Sequence, residues 1–295
     1  MLHTLKNDHM SVTASDHGAE LRSVMCHGVE LLWQGDPQWW IGRAPILFPV
    51  VGQLYGGAYS YNSQRYMLRN HGFARHSDFV LTLKTDDKMS FLLRDNEDTQ
   101  NVFPFAFALL VTYTLSDCSL RTDFQVTNTS DACLYFSIGG HPAFRCPLFQ
   151  RETFEDYEIV FNERETAGNH LLSDENLVLE ETAPFFNNSN TIPLDYNLFR
   201  QYETLVFSDL KSTRAMLRQR ETGAGVDMDF TSFPFFGIWT PPGAPFICLE
   251  PWQGVDDFPG FTGDLRDKRG IICLEPKRKH SCGFSLRAFI VAKNY

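Results

Sequence analysis

A strict alternation of apolar and polar residues runs through the middle of the chain, and it limits the fold more than any other feature. In "LVTYTL", Val111, Tyr113 and Leu115 share one face while Thr112 and Thr114 take the other. After a turn at Ser116-Asp117, "SLRTDFQVTN" sets Leu120, Phe124 and Val126 opposite Arg121, Asp123 and Gln125. A period of two is the mark of a strand with one face in a core and one in water. "NTSD" at 128–131 is turn chemistry, and "ACLYFSI" reads as a returning third strand, so 105–138 is expected to be a meander. The same texture recurs at 78–85 and 89–94, and at 153–161, 204–207, 212–219, 235–240 and 281–292. Helical spacing is scarce, with short helical turns expected only near 95–101 and 194–202. Many strands, turn-length breaks and no alternating helices predict an all-β chain, a large antiparallel β-sandwich. No low-complexity linker divides the 295 residues, and the polar "NNSN" at 187–190 is of loop length, so a single domain over 1–295 is expected.

Charge and cysteine content narrow the function classes. The chain carries 36 acidic and 26 basic residues, a net charge of −10, whereas nucleic-acid binding needs a basic footprint. "MLHTLKNDHMSVTA" lacks the apolar stretch of a signal peptide, and no apolar run approaches the ~18 residues of a membrane span. The seven cysteines include no C-x-x-C pair and read as reduced thiols, which makes a cysteine-based zinc site unexpected. The expectation is a cytoplasmic protein with a small-molecule ligand, no nucleic acid and no membrane. Oligomeric state is not legible.

Three stretches carry groups suited to chemistry. "RNHGFARHSDF" sets His71 before Gly72, in a turn where backbone can approach a ligand. On residues alone an exposed turn histidine is the plainer account of His71, and His76 reads as structural or exposed. "SIGGHPAFRCP" sets His141 after a diglycine expected to permit an unusual backbone and leave room beside the imidazole, and here a functional role leads. "FICLEPWQGVDD" joins Glu250 to Trp252. Apolar sugar faces stack on indoles while carboxylates accept hydrogen bonds from ring hydroxyls. The pentapeptide "ICLEP" recurs at 272–276, but the flanks of the two copies differ, which excludes a solenoid period. Each copy reads as an apolar strand end stopped by proline. Glu275, followed by "PKRKH", is expected to make a solvated salt bridge.

Taken in order, "ELLWQGDPQWW", "APILFPVVGQL", "NHGFARHSDF", "FPFAF", "GGHPAF", "FGIWT" and "CLEPW" resemble the aldose 1-epimerase (galactose mutarotase-like) superfamily, and within it the LacX-like branch. The resemblance covers nearly the whole chain and implies a β-supersandwich with a cleft on one face of a large sheet. It implies His141 as general acid, Glu250 as general base and His71 as a sugar-binding group, acting on an aldose with no metal or cofactor. Trp252 and Trp239 are the expected stacking surfaces. Relatives often carry an arginine where this chain has Gln53, a contact that Arg75 or Arg43 could supply. The family's aspartate for distal hydroxyls matches either Glu203 or Asp209. Ala143 and Trp252 also depart from the mutarotase pattern. The implied activity is interconversion of the α and β anomers of a free hexose. The alternatives are a hexose 6-phosphate, which calls for converging arginines (Arg43, Arg69, Arg75), and a non-catalytic carbohydrate-binding or regulatory protein. A glycoside hydrolase lacks its second well-placed carboxylate.

Overall fold

The computed structural model describes residues 1–290. A nine-stranded sheet and a smaller sheet of six strands pack over a shared core, with a four-stranded meander of Leu2–Lys6, Met10–Ser15, Leu21–Cys26 and Val29–Glu30 alongside. In the large sheet Lys279–Phe289 lies beside Ser119–Asn128, followed by Phe107–Ser116, Lys88–Arg94 and Val80–Lys84. The alternating segments pair antiparallel over ten residues, from Phe107↔Asn128 to Ser116↔Ser119. Their apolar faces, Val111, Tyr113, Leu115, Leu120, Phe124 and Val126, are buried as the period predicts. Among the described residues the α-helices are Glu97–Val102 and Tyr196–Tyr202, both short. No helix among the described residues is long and apolar enough to cross a membrane.

The expected third strand of the meander breaks in two. Leu134–Phe136 leaves the large sheet and pairs with Ile272–Leu274, and Ile138–Gly140 joins the six-stranded sheet. The break is at Ser137, which is held elsewhere. Its N–H donates to Pro49 O (2.7 Å), and its Oγ accepts the Val51 N–H (2.8 Å). Alternation marks the faces of a strand but not its neighbours, and here a buried serine redirects the chain.

The six-stranded sheet runs Thr204–Phe207, Phe235–Trp239, Phe246–Gln253, Ile138–Gly140 and Ile46–Leu47, with Ala143–Arg145 also on Phe246–Gln253. Along Phe246–Gln253, Ile247 and Leu249 point into the core shared with the large sheet. Phe246, Cys248 and Trp252 point to the opposite face, among Trp33, Trp39, Trp40 and Trp239 or beside Val206 and Val255. Glu250 falls on this outer face by the same period of two. A cleft of about 570 Å³ opens there.

Candidate active site

Glu250 is 1% exposed, within a strand that continues through Pro251 to Gln253. The expectation that Pro251 ends the strand is therefore corrected, and the neighbouring strands give the reason. On one side Phe246–Gln253 pairs continuously with Phe235–Trp239, Gly237 opposite Glu250 and Phe236 opposite Pro251. On the other side Ala143–Arg145 covers residues 246–248 and Ile138–Gly139 covers 252–253. Between them, Leu249 N–H donates to Pro142 O (3.3 Å). Two residues on, the nitrogen of Pro251 faces the same gap, where no ladder bond is required of it. That gap is filled by His141-Pro142, which brings the imidazole beside Glu250.

The diglycine before His141 serves packing, contrary to the expectation of an unusual backbone: neither Gly139 nor Gly140 has a positive φ. A Cβ on Gly140 would lie 2.7 Å from the Phe284 ring, and one on Gly139 2.8 Å from the Trp252 indole. On the other flank of Trp252, a Cβ on Gly237 would come within 2.6 Å. Glycines on two neighbouring strands thus seat Trp252 beside Glu250, and Trp252 is only 4% exposed.

His141 Nε2 lies 3.1 Å from Glu250 Oε2. The approach is off hydrogen-bond alignment, and Glu250 Oε2, His141 Nδ1 and Trp252 Nε1 have no hydrogen-bond partner within the protein. Trp40 stacks on the His141 ring at 4.8 Å and 28°, while Trp239 and His71 meet it edge-on at 5.8 and 5.7 Å. The Trp40 loop is anchored by Trp33 Nε1, which donates to Trp40 O (2.7 Å).

His71 and Gly72 both lie in the left-handed region, φ 61° and 72°. Glycine is required at 72, where a Cβ would sit 2.3 Å from Phe48 O. Gly52 N–H donates to His71 Nδ1 (3.0 Å), so the proton of the neutral ring is on Nε2. The loop carrying Gly52 is held in turn by residues following the Glu250 strand. Asp256 Oδ1 accepts the Gln53 N–H (2.7 Å) and Asp257 Oδ2 the Tyr55 N–H (2.9 Å). Lys268 Nζ donates to Asp257 Oδ1 (2.8 Å) and Val255 O (2.6 Å), an ion pair with both side chains 1% exposed.

Burial dominates the electrostatics. It pushes the Glu250 carboxyl well above its usual range, with the Asp256 carboxylate adding to the rise and the Arg75 guanidinium opposing it. Burial, then His71 and Arg75, drives His141 well below the usual histidine value. His71 is lowered to about 3 by burial and by Arg75, and stays neutral. Taking an ion pair out of water is costly, and both displacements favour the neutral forms of the two groups. Cys248 also brings its sulfur within 4.8 Å of the His141 and Glu250 ligand atoms. Burial and Glu250 push that thiol well up, which opposes the thiolate that a soft metal needs.

The cleft collects His71, Arg75, His141, Trp239, Glu250, Trp252 and Gln53. Of the two candidates for distal hydroxyls, Glu203 is at its rim, whereas Asp209 is not among the lining residues. Arg43 is committed elsewhere, its Nη1 donating to Arg22 O (2.7 Å). Arg69 is exposed and borders a different depression. Sequence reasoning passed over Trp40, although the "QWW" motif contains it, and over Asp256, visible as the first acid of "VDD". Glu275 lacks the expected salt bridge: it is exposed and accepts from the Cys133 thiol (3.7 Å), while Lys277 pairs with Asp131 (3.0 Å).

The two-sheet antiparallel fold is that of the galactose mutarotase-like proteins. The family model for aldose 1-epimerase matches residues 1–280, and the chain belongs to that family. It is 38% identical over 283 residues to the plasmid-borne protein LacX of Lactococcus lactis subsp. lactis, covering 92% of this chain and 94% of that one, and the chromosomal LacX matches equally. Among solved structures, a galactose mutarotase related enzyme from Lactobacillus acidophilus is 34% identical, with a TM-score of 0.93 over 98% of both chains. A galactose mutarotase-like protein from Lactobacillus casei is 27% identical, with a TM-score of 0.92 over 98% of this chain and all of that one.

Proposed function

We propose that the protein is an aldose 1-epimerase that interconverts the α and β anomers of a free hexose. The observation that carries the proposal is the pairing of His141 Nε2 and Glu250 Oε2 at 3.1 Å, both buried and both facing the cleft. The Glu250 carboxylate takes the proton of the C1 hydroxyl as the C1–O5 bond breaks, and O5 takes a proton from His141. The open aldehyde turns about C1–C2, and the two residues exchange roles as the ring closes on the other face. Each positioned acid or base contributes ~10²–10⁴-fold. The displaced pKa values suit these roles. Burial makes the Glu250 carboxylate a stronger base and the His141 imidazolium a stronger acid, and the sugar's own hydrogen bonds offset the cost of ionising them. His71 offers Nε2–H to a ring or hydroxyl oxygen, with Arg75 and Gln53 beside it. Trp40, Trp239 and Trp252 give the apolar surface on which a pyranose face rests, and Glu203 at the rim meets the distal hydroxyls. The proposal takes residues 1–295 as one unit working in the cytoplasm.

The free sugar is favoured over a 6-phosphate because Arg75 alone among the lining residues is an arginine, while bidentate phosphate capture uses several. Polarimetry of freshly dissolved α-glucose, α-galactose and a hexose 6-phosphate tests this. Acceleration confined to the free sugars is expected. Acceleration confined to the phosphate would shift the substrate, and calorimetric sugar binding without acceleration would leave only a binding protein.

A further inference from the structure

Apart from the cleft lining, three turns meet one another. They join Leu2–Lys6 to Met10–Ser15, Leu21–Cys26 to Val29–Glu30, and Phe107–Ser116 to Ser119–Asn128. Each contributes a metal-ligating side chain: His9, His27 and Cys118, with one ligand atom apiece and all three within 4.8 Å of one another. Both histidines are exposed and the cysteine is partly so, and none of the three lines the cleft.

The geometry points to a peripheral site for a thiophilic divalent cation of the zinc class, held by His9, His27 and Cys118 with water in the fourth position. At a tetrahedral zinc ion two imidazoles bound at ~2.0–2.1 Å keep their ring centroids about 5 Å apart, and a nitrogen and a sulfur ligand lie about 3.5 Å apart. Here the His9 and His27 centroids are 5.3 Å apart, and His27 Nε2 is 3.4 Å from Cys118 Sγ. The donor set, two borderline nitrogens and one soft sulfur, selects zinc-like ions over magnesium or calcium.

The three turns are fixed relative to one another before any ion arrives. His27 N–H donates to His9 O (2.8 Å), and Asn7 Nδ2 donates to Asp117 O (2.9 Å), tying the first turn to the other two. Asn7 Oδ1 accepts from the N–H of His9 and of Met10, at 2.9 and 2.7 Å. His27 itself sits at φ 48°, a left-handed position that bulky side chains rarely occupy. Ion binding replaces the contact between Cys118 and His27 by two metal bonds and releases the Cys118 thiol proton to solvent.

This departs from the expectation that a cysteine-based zinc site is absent. Residues 9, 27 and 118 have no motif spacing, and only the antiparallel pairing of two sheets brings their turns together. A second thiol group, Cys133 and Cys273 with Glu275, offers one sulfur more and no nitrogen, and serves as the internal competitor.

The test is a titration of the full-length, reduced protein with Co²⁺ as spectroscopic probe and Zn²⁺ as competitor. One equivalent of Co²⁺ should give the strong visible bands of a tetrahedral ion and a thiolate-to-cobalt charge-transfer band, both bleached by Zn²⁺. Cys118→Ser should abolish the charge-transfer band. His27→Asn, which keeps a residue tolerant of φ > 0, should weaken Zn²⁺ binding by at least ~10-fold, since changes merely beside a ligand already cost 10–100-fold. Circular dichroism of both metal-free variants should match the parent, and Cys133→Ser/Cys273→Ser should leave the cobalt spectrum intact. The inference is overturned by a titration that does not saturate, or by a spectrum that survives Cys118→Ser and is lost in Cys133→Ser/Cys273→Ser.

Discussion

Residues 247–251 and 272–276 carry the same five letters, ICLEP, in two different surroundings. In the first, the strand continues past its proline, Glu250 is 1% exposed, and its neighbours are His141, Trp252 and Asp256. In the second, Ile272–Leu274 forms a short two-stranded ladder with Leu134–Phe136, the strand stops before Pro276, and Glu275 lies in water beside Cys133. Downstream of each segment a lysine pairs with an acid, Lys268 with Asp257 and Lys277 with Asp131. Asp257 and Lys268 are both 1% exposed, whereas Asp131 and Lys277 are 94% and 60% exposed. Identical local chemistry thus has opposite consequences. Burial displaces the Glu250 carboxyl from its usual range, whereas Glu275 is left in solvent.

Each difference between the copies can be broken separately. The largest effect is expected from His141→Asn, which removes the partner that only the first copy has. The catalysed part of the mutarotation rate should fall by ~10²–10⁴-fold, with circular dichroism unchanged. Next comes Asp257→Asn, which leaves Lys268 charged, buried and unpaired. Breaking such a pair costs about 3–5 kcal/mol, and chemical denaturation should register it, while Asp131→Asn should be silent.

A smaller effect, of opposite sign, is expected from Glu250→Gln on stability. The folded carboxyl is raised, so between its unfolded and folded pKa values the native state binds more protons than the unfolded chain. Wild-type stability therefore falls as pH rises through that interval. The Gln variant lacks this loss. Its Tm should exceed that of the wild type at neutral pH, and the two should converge below the ordinary carboxylate range near ~4.3. A Tm difference independent of pH would mean that burial is not what displaces the Glu250 proton.

Much of the frame was legible because a period of two encodes which face is buried, as the 107–128 hairpin and its core face demonstrate. The pairing partners of a strand are not encoded there. The split at Ser137 depends on backbone groups of Pro49 and Val51, nearly ninety residues upstream. Pro251 could be placed inside a strand only once the gap on one side of it was known. The residue types of the site were legible too, since His141, Glu250 and His71 stand in distinctive motifs. Their support was not: the glycines at 139, 140 and 237 answer to rings on other strands, and Asp256 acts through the backbone of Gln53. Such support depends on which segments become neighbours, which no short motif records.

Burial beside His141, and not the pentapeptide, is what we propose gives Glu250 its chemistry. Polarimetry of freshly dissolved α-galactose and α-glucose with wild type, Glu250→Gln and Glu275→Gln tests it most directly. Glu250→Gln should fall to the uncatalysed rate of the sugar in buffer while Glu275→Gln matches wild type. An unaltered rate in Glu250→Gln, or a collapse in Glu275→Gln, would contradict it.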